Sequence, residues 1–75
     1  MASVLHVFTR GDASLARPLI ERQRAQSDTT VTVVLLPGAA VPPLPDGLRV
    51  TRVPDELSYP ELLDLIFASD QVIAW

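Results

Sequence analysis

Residues 30–36, Thr-Val-Thr-Val-Val-Leu-Leu, decide the fold of this chain. The stretch is rich in β-branched side chains and is continuously apolar at its end, which predicts a strand covered on both faces. Strands of this kind lie at the centre of parallel sheets, whereas a strand with one wet face alternates between apolar and polar residues. We therefore take residues 30–36 as an inner strand of a parallel sheet.

On the N-terminal side of this strand, the sequence predicts a strand followed by a helix. Residues 4–9 are β-branched, aromatic and apolar, which indicates a first strand, and the turn Arg10-Gly11-Asp12 ends it. A helix is predicted from about Ser14 to Gln26, with Pro18 in its first turn, where a missing N–H does no harm. Its predicted apolar stripe consists of Leu15, Ala16, Leu19 and Ile20.

On the C-terminal side, a proline- and glycine-rich loop at residues 37–47 leads to a third strand, a second helix and a last strand. Residues 48–53 alternate between apolar and polar, which predicts a strand with a wet face or a place towards an edge. Ser58 and Glu61 form a capping box that starts the second helix, and residues 71–75 form the last strand. The predicted apolar face of that helix consists of Tyr59, Leu62, Leu63, Ile66 and Phe67.

The order β-α-β-β-α-β predicts one α/β domain over residues 1–75, with a small, mainly parallel four-stranded sheet and two helices. Two helices cover both faces of such a sheet poorly, and its two edges need protection. We therefore expect an oligomer in which a second subunit covers the inner strand. Phe67, Trp75 and the outer face of the second strand are the residues expected near the contact.

Several catalytic chemistries are closed to this chain by its composition. The sequence has no cysteine and no lysine, and His6 is its one histidine. It therefore offers no thiolate or persulfide, no Schiff-base amine and no histidine metal cluster within one chain. We expect a protein that is not an enzyme by itself, with no metal and no cofactor.

The charge balance disfavours direct binding to nucleic acid. Nine acidic residues against six arginines give a net charge of −3, whereas a phosphate-gripping domain shows a basic stripe. Three arginines cluster on the first predicted helix, but acidic residues interrupt them, as on a solvated face. They are Arg17, Arg22 and Arg24, interrupted by Glu21 and Asp28. The N-terminus lacks a basic leader and prolines break the longest uncharged run, so we expect a cytoplasmic protein with no membrane helix.

One loop is a candidate ligand site. Arg10, Gly11, Asp12 and Ser14 follow the first strand, and ligands of open α/β sheets bind outside the carboxyl ends of strands, where a helix N-terminus favours anions. The alternative is structural: Asp12 or Ser14 caps the helix, and Arg10 pairs with Asp55 or Glu56. His6 is predicted to be a core or interface imidazole hydrogen-bonded to backbone.

Both ends of the chain resemble the TusB/DsrH family of small sulfur-relay proteins. The opening Leu5-His6-Val7-Phe8-Thr9-Arg10 is similar to the Leu-His start and following basic residue of that family. Residues 58–66, with their tyrosine-associated helix start, and the terminal Ala74-Trp75 are similar to its end. Residues 34–38 stand where the family has an apolar strand and a glycine-containing loop, and the chain is shorter in the middle by about one helix and one strand.

The resemblance implies a shortened DsrE-like α/β/α sandwich in which paralogous subunits assemble and a cysteine on a partner carries persulfide sulfur. This chain lacks cysteine, which fits a non-catalytic, oligomer-forming subunit of a relay for tRNA 2-thiouridine synthesis or sulfur oxidation. Its expected partners are further copies of itself or cysteine-bearing DsrE-like paralogues. The alternatives are a stand-alone domain that binds a small anionic ligand and a purely structural homo-oligomeric α/β domain.

Overall fold

The computed structural model describes residues 2–9, 15–39, 44 and 47–75. Its elements are β1 (Ala2–Phe8), α1 (Ala16–Arg24), β2 (Thr29–Leu35), β3 (Arg49–Arg52), α2 (Tyr59–Ala68) and β4 (Gln71–Ala74). This order confirms the predicted β-α-β-β-α-β arrangement and the mixed α/β fold. The predicted turn Arg10-Gly11-Asp12 lies outside the described residues. Within the described ranges, neither helix is long and apolar enough to cross a membrane.

The four strands form one parallel sheet in the order β3-β2-β1-β4. β1 pairs with β2 from Ala2 opposite Thr29 to Phe8 opposite Leu35, and with β4 over four residues beginning with Val4 opposite Gln71. β1 and β2 are therefore the inner strands, and β3 and β4 are the edges. Both the inner position of β2 and the edge position of β3 confirm the sequence predictions.

Each face of the sheet is covered by one helix. Leu5, Val7 and Val34 pack with Val53 and with Leu62 of α2 on one face. The opposite face carries Phe8, Val33 and Leu35, which pack with Ala16 and Ile20 of α1. The result is a three-layer α/β/α arrangement with two small cores that share the inner strands.

The expectation that β2 needs a second subunit to cover it is wrong. Val33 and Val34 point to opposite faces of β2, and both are 0% exposed within the single chain. The apolar end of β2 is short enough for one helix on each face. The first half of the strand carries Thr30 and Thr32, whose hydroxyls tolerate water and need no such cover.

The helix α1 confirms part of its predicted pattern. Pro18 lies in the first turn, as expected, and the three arginines of this helix are exposed. Leu15 precedes the helix and is 72% exposed, so its predicted place in the apolar stripe is wrong. Gln23 takes that place and is buried one turn beyond Ile20. The Arg17 Nε atom lies 3.1 Å from Glu21 Oε1, an ion pair on the solvated face.

The helix α2 begins as predicted but buries a narrower face. Leu62 is buried, with Leu65 and Ile66 partly buried beside it. Tyr59, Leu63 and Phe67 are 53%, 55% and 84% exposed, so this part of the predicted apolar face is not buried within the chain. Successive helical residues are turned by about 100°, which puts these three side chains on a row beside the buried one. We call Tyr59, Leu63 and Phe67 the α2 row.

We predict that Ser58→Ala lowers the free energy of unfolding by about 0.5–2 kcal/mol. Ser58 Oγ accepts the Glu61 backbone N–H at 3.2 Å, and Glu61 Oε1 accepts the Ser58 backbone N–H at 3.2 Å. Urea denaturation measures the change. Ser58→Asp keeps an acceptor at the cap and serves as the matched control. An alanine variant as stable as the parent would contradict the role of this capping box.

Candidate functional site

The carboxyl ends of β1 and β4 lie side by side at the point where the strand order of the sheet reverses. From β1 the chain continues through α1 to β2 on one side, whereas β4 follows α2 and lies on the other side. Ligands of open α/β sheets bind at such a switch point. Here Thr9 donates two hydrogen bonds to the Trp75 carbonyl oxygen, from its backbone N–H at 3.2 Å and from Oγ1 at 2.6 Å. These bonds tie the two strand ends together.

The candidate ligand loop follows Thr9 in the chain. Arg10, Gly11, Asp12 and Ser14 lie outside the described residues, and so do the predicted ion pair of Arg10 and the capping roles of Asp12 and Ser14. Leu15 occupies the N-cap position of α1, and no side-chain hydrogen bond caps the helix there. The structure shows where β1 ends, and this is the point from which the loop starts.

His6 lies at the centre of β1 with both ring nitrogens in hydrogen bonds. The side chain is 0% exposed, with Nε2 at 2.6 Å from Gln23 Oε1 and Nδ1 at 3.0 Å from Trp75 Nε1. An indole N–H only donates, so Nδ1 must accept, and the imidazole proton lies on Nε2 and is donated to Gln23. The predicted burial of His6 agrees with the structure, but its partners are side chains and not the backbone. The strand ladder already uses the neighbouring backbone groups.

Trp75 follows β4, and its side chain packs on β1 at the sheet face that α1 covers. Its ring lies nearly parallel to those of His6 and Phe8, with centroids 6.1 Å and 6.5 Å away and interplanar angles of 11° and 16°. Its backbone N–H donates to the Val7 carbonyl at 2.9 Å. The side chain is half-buried. Much of this candidate interface residue is therefore engaged within its own chain.

Burial controls the protonation of His6. Desolvation lowers the pKa of the imidazole below its ordinary value of 6.5, and the hydrogen bond to Gln23 opposes this to a smaller extent. A second proton would have to sit on Nδ1, where it would face the N–H of Trp75. The neutral imidazole is the form that this network accepts, and no ring nitrogen is left free to bind a metal or move a proton.

The α2 row is the main apolar surface that the described chain leaves in water. Phe67 is 84% exposed, and Val72 on the neighbouring edge strand is 40% exposed. Clustered exposed apolar side chains mark interaction sites more often than scattered ones do. The structure therefore places Phe67, predicted as an interface residue, on a surface that is open to a partner.

A groove on the other side of α2 was missed by the sequence reasoning. It has a volume of about 540 Å³ and lies between α2 and the part of the sheet formed by β2 and β3. Its polar lining includes Thr32, Arg49, Thr51, Glu61 and Asp64. Thr32 and Thr51 are the sequence features that could have indicated this groove, because polar residues on an inward face of two strands suggest that no helix covers them. Hydrogen bonds from Ser58 lower the pKa of Glu61, so this carboxylate stays charged at neutral pH.

Among the residues that the structure describes, no group of three or more His, Asp or Glu side chains is arranged to hold a metal ion.

We predict that acid destabilises the protein through His6. Well above pH 6.5 the imidazole is neutral in both the folded and the unfolded chain, so it adds no pH dependence there. Below that value the unfolded chain takes up the proton first, because the pKa is lowered in the folded state. The free energy of unfolding should fall as the pH drops through this range and level off below the folded pKa.

Urea midpoints test this prediction when they are measured from pH 7.5 to pH 5 in steps of about half a pH unit. His6→Gln removes the chain's one histidine, and its midpoint should change much less over the same range. Glu61 contributes little over this range, because above pH 5 its carboxyl is mostly ionised in the unfolded chain as well as in the folded one. A parent protein with the same midpoint at both ends of the range would refute the role of His6.

No protein-family model, no curated protein and no solved structure matches this chain.

Proposed function

We propose that this chain is a non-catalytic, oligomer-forming subunit of a sulfur-transfer relay, similar to TusB/DsrH subunits. The observation that carries the proposal is the α2 row, in which Phe67 is 84% exposed and Leu63, one turn before it, is 55% exposed. Large apolar side chains held in water at helical spacing are typical of a helix that binds another protein. The subunit contributes a binding surface to the relay.

The closed state of His6 supports the non-catalytic part of this role. Its imidazole is 0% exposed and donates to Gln23 and accepts from Trp75, so it has little access to a substrate. The sequence supplies no cysteine to hold sulfane sulfur and no lysine to form a Schiff base. Persulfide chemistry then belongs to a cysteine on a partner subunit.

The two chain ends and the charge favour a protein partner over a nucleic acid. Residues 5–10 and 58–66 carry the resemblance to TusB/DsrH, whose relatives assemble with cysteine-bearing DsrE-like paralogues. The net charge of −3 opposes direct contact with RNA phosphates. In a relay for tRNA 2-thiouridine synthesis, the subunit would work in the cytoplasm and meet tRNA only through its partners. A relay for sulfur oxidation is the other setting that fits.

We predict that a cysteine-bearing DsrE-like protein encoded beside this chain binds it, and that sulfur stays on the partner. After mixing with the persulfidated partner, intact-mass spectrometry should show this chain without added sulfur. Phe67→Glu should weaken the complex by about 2 kcal/mol, or roughly 30-fold in Kd, as measured by sedimentation. Leu15→Glu is the control: it changes an exposed apolar residue outside the α2 row and should leave the Kd unchanged.

Two results would refute the proposed function. One is a stable sulfur adduct on this chain. The other is a chain that sediments as a monomer near 8.2 kDa, both alone and with the cysteine-bearing partner.

A second function, binding of a small anion, is favoured by the topology. The carboxyl end of β1 lies beside that of β4 at the switch point, and the segment with Arg10 and Ser14 starts from there. We predict that inorganic phosphate changes the emission of Trp75, the chain's one tryptophan, in a saturable manner. Arg10→Gln should abolish the response and Arg22→Gln should preserve it. An unchanged emission, or an equal response of both variants, would exclude this function.

A further inference from the structure

We propose that a second copy of this chain docks on the β4 edge and the α2 row about a twofold axis, joining the two sheets into one. The inference rests on the proposed oligomer-forming role and names its partner and its surface. The surface consists of Tyr59, Leu63 and Phe67 on α2 together with Val72 and Ala74 on β4, and we call it the β4 seam.

The first reason is the set of backbone groups that β4 directs outward. Trp75 uses both its N–H and its C=O towards β1, bonding the Val7 carbonyl at 2.9 Å and the Thr9 N–H at 3.2 Å. The two backbone groups of a strand residue point to the same side, and the side alternates along the strand. Ile73 therefore faces β1 as well, whereas Val72 and Ala74 direct their N–H and C=O groups to the open edge.

The second reason is that the two edges of the sheet differ in charge. The β3 edge carries Arg49 and Arg52, both exposed, and charged side chains on an edge strand oppose pairing with another strand. The β4 strand, Gln71–Ala74, carries no charged residue. Only the β4 edge thus lacks this protection among the edges of the described sheet.

The third reason is that the α2 row lies on the β4 side of its helix. Glu61, Asp64 and Ala68 line the groove over β2 and β3, so the row on the opposite flank faces the other edge. Val72 pairs with Leu5 and therefore lies on the same sheet face as α2. The row and Val72 therefore lie towards the same edge of the sheet and on the same face of it.

A twofold axis makes this surface complementary to itself. Antiparallel pairing centred on Ile73 would set Val72 opposite Ala74 of the second copy, and the outward N–H and C=O groups of both would bond reciprocally. An axis perpendicular to the sheet keeps both α2 helices on one face. Leu63 and Phe67 would then meet their counterparts across the seam.

Charge favours the docking of a second copy at the β4 seam and disfavours it on the other flank of α2. Two chains of net charge −3 repel each other, so a self-contact needs a surface free of acidic groups. The three residues of the α2 row carry no charge, whereas the groove flank presents Glu61 and Asp64. The pairing would leave that groove open to solvent on both copies.

The areas involved show that the row alone is too small. Aromatic side chains bury about 150–250 Å² each, so the exposed parts of Phe67 and Tyr59 offer roughly 200–300 Å² per copy. A stable interface needs about 800 Å² per partner. Leu63, Val72 and the hydrogen-bonded β4 edge must supply the rest, which is why the proposal joins strand pairing to helix packing.

Sedimentation velocity combined with amide hydrogen exchange, read residue by residue by NMR, tests the proposal on the intact chain. As concentration rises from micromolar to millimolar, a dimer should form, and the Val72 and Ala74 amides should become protected by at least about 10-fold as it does. The Ile73 amide faces β1 and should be protected at every concentration. A chain that stays monomeric, or a dimer whose Val72 and Ala74 amides remain unprotected, would overturn the proposal.

Matched variants locate the contact. Phe67→Glu and Val72→Lys place like charges at the seam and should shift the dimer to monomer, while circular dichroism confirms that both still fold. Leu15→Glu is the control and should dimerise like the parent. A control that loses the dimer equally, or seam variants that keep it, would overturn the proposal.

The outcome also separates this inference from the proposed function. A chain that is monomeric alone yet binds the cysteine-bearing paralogue would refute the self-pairing and preserve the subunit role. A chain that forms neither complex would refute both.

Discussion

The structure depends on burying β1 on both faces between two parallel neighbours. Leu5 and Phe8 point to opposite faces of this strand, and both are 0% exposed. Parallel strands cannot be joined by a tight turn, so each pairing of β1 requires a crossover connection. The helices α1 and α2 lie in these connections, one on each face, and give a chain of 75 residues two cores.

This burial constrains the one histidine of the chain. His6 stands in the middle of β1, where an unpaired imidazole nitrogen would cost about 1–3 kcal/mol. α1 supplies Gln23 to one nitrogen and the residue after β4 supplies Trp75 to the other. The network joins elements from both ends of the sequence, so the core depends on a long-range polar contact as well as on apolar packing. That contact also favours the neutral form of the imidazole, since its Nδ1 atom accepts from the indole.

The parts of the fold that local signals determine could be predicted from the sequence. The capping box of Ser58 and Glu61 gave the start of α2, and the order of the elements followed from the alternation of strand and helix patterns. The exposure of Tyr59 and Leu63 could not be predicted in this way. An apolar residue near the edge of a helical stripe has the same local pattern whether the sheet reaches it or not. Only the breadth of the sheet under α2 decides the outcome.

The candidate sites show the same division between local and long-range information. Burial of His6 followed from its flanking apolar residues, but its partner Gln23 is a polar residue of α1 that no local pattern relates to a strand. Trp75 reaches His6 across 69 residues of sequence. The Arg10–Ser14 segment was predicted from its place after a strand, and the sheet order adds that this strand end lies at the switch point.

The proposed oligomerisation has a different physical cause from the one that the sequence indicated. The pattern of β2 suggested a sheet with too little cover, yet the chain buries Val33 and Val34 by itself. The exposed apolar surface lies instead on α2, because the sheet beneath this helix covers only part of its apolar side chains. One flank of that helix faces a groove with a polar floor, where water suffices, and the other flank presents Leu63 and Phe67 beside an uncharged edge strand. This asymmetry is the reason why the proposed contact uses the seam and leaves the groove to solvent.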